Sequence, residues 1–246
     1  NYIDGVTITK EEFKQKMIES AELPKTAQPS IGRFVEVYDE LGKNGDSVIS
    51  IQMMRSISGT VDAARQAADI TETNVTVVDS DFTSRSMGMI VKEAAKAAQE
   101  SKSVQEILEI VEDAKKRTTL YLTVVNLDNL IKGGRISQLM GMFSNLLNIK
   151  LFLQVINGKI EIIQKGRGLK SLQKKYDEIF EQMKAAPNGI QEIGIMHAGL
   201  SDFNEGNIAR VRELFPDVPL TIVTTSPIIM SHTGVDAMAI TYLENK

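Results

Sequence analysis

The stretch SVISIQMMRSISGTVDAARQAAD (47–69) decides how the chain is read. Val48, Ile49 and Ile51 form a β-branched run of the kind that makes a buried strand. From Val61 the composition turns Ala-rich, with Asp62 in what would be a first helical turn, so a helix is expected. Between them, residues 56–60 (SISGT) make a small-residue turn crowded with hydroxyls. A turn of that kind at a helix N-terminus offers unpaired N–H groups, a positive dipole end and side-chain donors, which together suit an anion. Ser58 and Gly59 are its candidate ligand-binding residues. The plainer alternative is that Ser58 or Thr60 merely caps the helix.

Working outward, strand and helix patterns alternate. Thr9 with the acidic Glu11 and Glu12 predicts a helix to about Ala21. Pro24 and Pro29 make residues 23–30 a loop, which can present Thr26 and Gln28. A helix is expected over 31–42. After the opening stretch come a strand over 74–80 ending in Asp79-Ser80, a helix over 90–100 and another over 104–117. This order predicts a parallel sheet covered by helices, with ligands at the strand carboxyl ends, where Ser58 and Ser80 would lie.

From residue 119 the pattern changes. Strand 121–125 and a short helix over 127–132 precede Gly133-Gly134-Arg135, and 136–147 reads as a helix dense in Leu, Met and Phe. Segments 151–156 and 159–164 flank Asn157-Gly158, a strong hairpin signal. A helix over 169–185, strand 192–197, helix 204–214, strand 220–224 and a last strand near 237–243 complete the chain. Ser231-His232-Thr233-Gly234 follows Pro227 and is expected to be a loop. The fold class is therefore α/β with two domains: residues 1–118 an α/β domain on a parallel sheet, and residues 119–246 an α+β domain with a largely antiparallel sheet.

Composition narrows the function. A net charge of −4 without a Lys/Arg run, and 5% aromatic residues without Trp, argue against nucleic acid. No cysteine is present, which excludes thiol chemistry and Cys-ligated metal. The two histidines, His197 and His232, fit no metal-ligand spacing. No stretch of the 246 residues is apolar enough to span a bilayer, and no signal peptide opens them, so a cytoplasmic protein is expected.

Three features carry candidate chemistry. Lys132-Gly133-Gly134-Arg135 lacks the phosphate-loop spacing and reads as a glycine helix end, although Arg135 can reach an anion. His232, flanked by hydroxyls, can donate to an anion or act as an acid or base; the alternative is a structural histidine. Met140, Met142, Phe143, Leu146, Leu147 and Leu151 form an adaptable apolar surface, either core or a wall around a flexible apolar ligand.

At several stretches the sequence resembles the DegV family of bacterial fatty-acid-binding proteins, which includes the FakB carriers of fatty acid kinase. They are DGVTITKEEF (4–13), TAQPS (26–30), SISGT (56–60), VTVVDS (75–80), LIKGGRIS (130–137), LLNIK (146–150) and SHTG (231–234). Their order and spacing cover nearly the whole chain. The resemblance implies two domains and one buried long-chain fatty acid such as palmitate or oleate, with no other cofactor and no catalysis by the carrier itself. It implies a carboxylate held by Thr26, Ser58 and the His232 loop, with Arg135 a neighbour. It also implies a fatty acid kinase partner and transient membrane contact for loading. The family's opening strand is expected before Asn1, and Val235-Asp236 stands where ProGly is frequent, which puts an acid near the anion site.

Hydrogen-bond chemistry agrees with a carrier. A carboxylate only accepts, and Thr26, Ser58 and a protonated His232 all donate. The rivals are a serine acyl hydrolase using Ser58 and His232, although no GxSxG elbow surrounds Ser58, and a small-anion binding module.

Overall fold

A computed structural model describes residues 1–135 and 149–246. The expected helix 136–147, with Met140, Met142, Phe143, Leu146 and Leu147 of the proposed apolar wall, lies outside the described residues. The chain divides into two compact units: one of residues 27–118 and 155–159, the other of residues 1–26, 119–154 and 160–246.

In the first unit, strands β1 (Val48–Gln52) and β2 (Val75–Asp79) pair in parallel, Val48 opposite Val75 and Gln52 opposite Asp79. Helix α2 (Ile31–Gly42) starts at Ser30, whose side chain accepts from the Arg33 N–H. It turns Tyr38 inward, where the hydroxyl hydrogen-bonds Ser50 at 2.7 Å. Helix α3 (Thr60–Ala68) uses its small residues to pack closely: Val61, Ala63, Ala64 and Ala67 are all buried. Helices α4 (Ser84–Gln99) and α5 (Val104–Arg117) follow, α5 opening with a reciprocal Ser103–Glu106 capping box. Lys115 of α5 pairs with Asp81 at 2.7 Å.

The second unit holds a six-stranded mixed sheet. In chain order its strands are β3 (Thr118–Val124), β4 (Ile149–Ile156), β5 (Lys159–Arg167), β6 (Ile190–His197), β7 (Leu220–Thr224) and β8 (Met238–Glu244). Across the sheet the order is β5-β4-β3-β8-β6-β7. β3 pairs antiparallel with β4 and β6 antiparallel with β8, whereas β6 and β7 run parallel. Between β4 and β5, Asn157 and Gly158 both have positive φ, 49° and 68°, the backbone of a type I′ hairpin turn. Helix α7 (Leu169–Lys184) buries Leu172, Tyr176, Ile179, Phe180 and Met183, one face at helical spacing, in the main core. The Tyr176 hydroxyl is satisfied there by Thr123 at 2.7 Å.

Helix α1 (Lys10–Glu19) opens with a Thr9–Glu12 capping box. Residues 1–26, expected with the 1–118 domain, group with the second unit. The reason is apolar contact: Met17 and Phe13 of α1 pack with Ala198, Met230 and Ala237. The second unit also contains α6 (Asp128–Lys132), α8 (Asp202–Leu214) and α9 (Pro227–Thr233).

Residues 231–234 are not the expected loop, since His232 sits in the last turn of α9. Ser226 caps this helix by accepting from the Ile229 N–H, and Pro227 fills the first helical position, where its missing N–H costs nothing. Gly234, at φ 76°, ends it.

Candidate functional site

The candidate residues fall into two groups. In the second unit, Thr26 and His232 meet: Thr26 Oγ1 lies 3.1 Å from His232 Nε2. Arg135 belongs here too, donating to the Gly133 carbonyl at 2.8 Å. Burial, assisted by the Arg135 charge, pushes the His232 pKa down to about 4. The expectation of a protonated His232 is therefore corrected: the ring is neutral at pH 7 and has one N–H to give.

The hydroxyls beside His232 are already committed. Ser231 Oγ donates to the Pro227 carbonyl at 2.9 Å and Thr233 Oγ1 to the Ile229 carbonyl at 3.1 Å. Both bond back into their own helix, leaving no proton for a ligand. The site is closed on another side by the end of α6. Gly133 is its C-cap and Gly134 follows with φ 70°, so the glycine pair is a helix end, as its spacing suggested. A Cβ at Gly133 would sit 2.5 Å from His232 Nδ1, so only glycine leaves room for the ring. Asn129, which the sequence did not single out, ties α6 to α9 by donating to the Ser231 carbonyl at 3.1 Å. An Asn four residues before a glycine C-cap was the available signal.

The first unit holds Ser58, Gly59 and Gln28. Gly59 is the N-cap of α3 and makes no side-chain cap. Ser58 Oγ lies 2.7 Å from Thr60 Oγ1 and accepts from the Thr60 N–H at 3.3 Å. Ser58 thus has a share of the capping role, and its hydroxyl belongs to a two-hydroxyl cluster at the helix start. The Gln28 amide oxygen lies 2.5 Å from where a Gly59 Cβ would be, so these two touch. Ser80, by contrast, is fully buried and spends its hydroxyl on Phe82, accepting from its N–H and donating to its carbonyl. It is a turn residue.

His197, the other histidine, closes β6 and is also held below its ordinary pKa by burial and by Lys14 and Lys10. A shallow groove in the second unit, lined by Arg212, Phe215, Pro216, Val218, Leu220 and Ile222, contains none of the candidate residues. Among the described residues no three potential ligands cluster to hold a metal, and no helix is long and apolar enough to cross a membrane.

The family model described as "Uncharacterised protein, DegV family" matches residues 1–245. A DegV domain-containing protein of Streptococcus pneumoniae is 40% identical over 97% of this chain and 85% of its own length. Among solved structures, DegV of Bacillus subtilis, described as a fatty acid binding protein, has a TM-score of 0.88 at 27% identity. A DegV family protein from Thermus thermophilus, described by its fatty acid binding, has a TM-score of 0.85 at 30% identity. In both comparisons 99% of this chain and 87% of the other are covered. The mixed architecture, a small parallel sheet beside a larger mixed one, is the fold of these structures.

Proposed function

The chain belongs to the DegV family, and from that premise we propose that it binds one long-chain fatty acid and presents the carboxylate to a fatty acid kinase, itself catalysing nothing. The observation that carries the reading is the whole-chain likeness to the Thermus protein described by its fatty acid binding. On this reading the carboxylate accepts from Thr26, held by His232, and from Ser58 at the start of α3, with Gly59 and Gln28 beside Ser58 and Arg135 near the ring.

Physical chemistry supports the assignment. Each buried methylene contributes about 0.8 kcal/mol, so a ~16-carbon chain offers a gross gain of roughly 10 kcal/mol. Desolvating the carboxylate opposes that gain unless donors replace its water. Neutral hydroxyls do so while leaving the head group releasable. An acyl phosphate formed from it hydrolyses unless water is kept away, which suits a carrier that holds its cargo buried.

The hydrolase alternative is disfavoured by the same geometry. A Ser–His pair needs a base free to take the serine proton, oriented through its other nitrogen. Here His232 Nε2 is engaged by Thr26, and Nδ1 has no hydrogen-bond partner among the described residues.

The test is denaturing extraction of the purified protein followed by mass spectrometry. About one fatty acid per chain in wild type, and far less in Thr26→Val, is expected. A lipid-free protein that also fails to take up added oleate or palmitate overturns the proposal. Kinase presentation is tested separately, by acyl-phosphate formation from the loaded protein with a bacterial fatty acid kinase.

A further inference from the structure

We infer that α1 is an acid-released latch: protonation of His197 sets a third cation beside Lys10 and Lys14 and detaches the helix from the ends of β6 and β7, drawing Thr26 away with it. The consequence for Thr26 rests on the fatty-acid reading above. The latch itself concerns the ligand-free protein and is tested separately.

Helix α1 is attached shallowly. Met17 is its one buried residue, whereas α3 and α7 each bury five. Phe13 and Met17 pack with Ala198, Met230 and Ala237. The Asn129 amide adds a contact to Met17 Sδ at 3.5 Å, and Lys10 Nζ donates to the Thr224 carbonyl at 2.7 Å. A helix held by so little apolar surface opens locally before the main core does.

The end of β6 lies beneath these contacts. Ala198 follows His197, and His197 stands opposite Thr224 in the β6–β7 register. Lys10 and Lys14, four apart on α1, share the face that meets this strand end. Lys10 is fixed there by its bond to Thr224, and Lys14 Nζ lies 3.0 Å from where a Gly199 Cβ would be. His197 is only 8% exposed. Burial first, then Lys14 and Lys10, disfavour its cation. Of the acids around it, Asp236 sits against Gly199, while Asp202 and Glu205 stand exposed in the first turn of α8. None of these three is among the charges that act on the ring. Thr224, Thr225 and Asn204, which complete the surroundings of the strand end, are neutral.

His197 therefore takes a proton more readily when α1 is off than when it is docked. Between the ordinary histidine range and the lower docked one, the open form binds a proton that the docked form lacks, so docking weakens as pH falls. The consequence passes to Thr26 along the chain. Glu19 ends α1, and Pro24 stiffens the short link that follows. A displaced α1 pulls Thr26 Oγ1 from its place 3.1 Å from His232 Nε2. Acid thus loosens the proposed head-group contact through a helix that touches no ligand.

Hydrogen exchange read by mass spectrometry on the lipid-free protein, corrected for the intrinsic rate, tests the latch. From pH 7.5 to 5, protection of α1 is expected to fall about tenfold or more while that of α7 holds within about threefold. His197→Gln should remove the fall and His232→Gln should keep it. Equal α1 protection at the two pH values, or a fall that survives in folded His197→Gln, overturns the inference. If His197→Gln does not fold, Lys14→Gln carries the test: its α1 should lose less protection on acidification than wild type, and an undiminished fall overturns the charge mechanism. Oleate titrations test the consequence for Thr26. Between pH 7.5 and 5 wild type should weaken about tenfold more than His197→Gln, since the head group and His232 titrate in both proteins. Equal losses detach the latch from the site. A protein that takes up no oleate at either pH overturns the fatty-acid reading and the consequence for Thr26 together, while the exchange result stands or falls alone.

Discussion

Thr26 and Ser58 are both half-buried hydroxyl residues, one in each unit, yet their neighbours treat them differently. Thr26 is bonded to a neutral, half-buried imidazole, whereas Ser58 is bonded to the hydroxyl of Thr60. An imidazole wedged against a glycine has a fixed donor direction and a titration of its own. Two hydroxyls have neither, because both protons rotate and either can serve a ligand. The pair with the ring is therefore specific and pH-sensitive, and the hydroxyl pair is redundant and pH-blind.

The largest expected consequence is in stability against pH. The folded His232 titrates at about 4, against an ordinary 6.5, because burial first and Arg135 second disfavour its cation. Between those values the unfolded chain binds a proton that the folded chain does not, so stability rises with pH across this window and falls as pH drops through it. The full shift corresponds to roughly 3 kcal/mol, and solvent screening of the half-buried ring reduces this to about 1–2 kcal/mol, lost progressively below about pH 6.5 and fully lost near pH 4. His197 contributes in the same direction. Urea unfolding from pH 7.5 to 4 should therefore show a flatter pH profile in His232→Gln than in wild type. Ser58→Ala should run parallel to wild type, since neither member of its pair titrates. A parallel His232→Gln profile would remove the difference between the two regions.

Affinity separates them next. Thr26→Val strands the His232 N–H as well as removing the ligand's donor, so oleate binding by calorimetry should weaken by roughly 10- to 100-fold, from about 1.5–3 kcal/mol for a hydrogen bond to a charged group. Ser58→Ala should cost less, at most about tenfold, because Thr60 Oγ1 stands 2.7 Å away and can take over. Ser58→Ala/Thr60→Val should then fall to the level of Thr26→Val. Equal single-variant effects would show that the hydroxyl pair is not redundant.

These contrasts were only partly legible in the sequence. The strand at 48–52, the Ala-rich α3, the Asn157-Gly158 turn and the Tyr176 face of α7 are local patterns, and period and turn chemistry expose them directly. Thr26, Ser58 and His232 could be picked out by residue type and resemblance. Their state could not, because the His232 pKa depends on burial by segments far away in the chain. The loop expected at 231–234 failed for a nearer reason. Pro227 was read as a breaker, although Ser226-Pro227 is also the signature of a helix start. In the helix, the protons of Ser231 and Thr233 go to carbonyls four residues back, which residue type alone does not reveal. The grouping of α1 with the second unit rests on Met17 and Phe13 meeting Met230 and Ala237, a long-range contact without a local signature.

The smallest expected effect concerns the acid that the resemblance placed near the anion site. Asp236 has φ 61°, a left-handed backbone that glycine adopts without a Cβ penalty, and glycine is frequent there in the family it resembles. Its carboxylate oxygen lies 2.6 Å from where a Gly199 Cβ would be, and its carbonyl accepts from Asn204 Nδ2 at 3.1 Å. Among the described residues, the charge that shifts His232 is that of Arg135. Asp236→Gly keeps the carbonyl, relieves the backbone and gives back part of the gain through a freer unfolded chain, for a net stabilisation of about 0.5–1 kcal/mol. Thermal unfolding should therefore shift upward slightly while oleate affinity stays unchanged. A changed affinity would mean that the acid does reach the Thr26–His232 pair, and that this pair is tuned by charge from two sides.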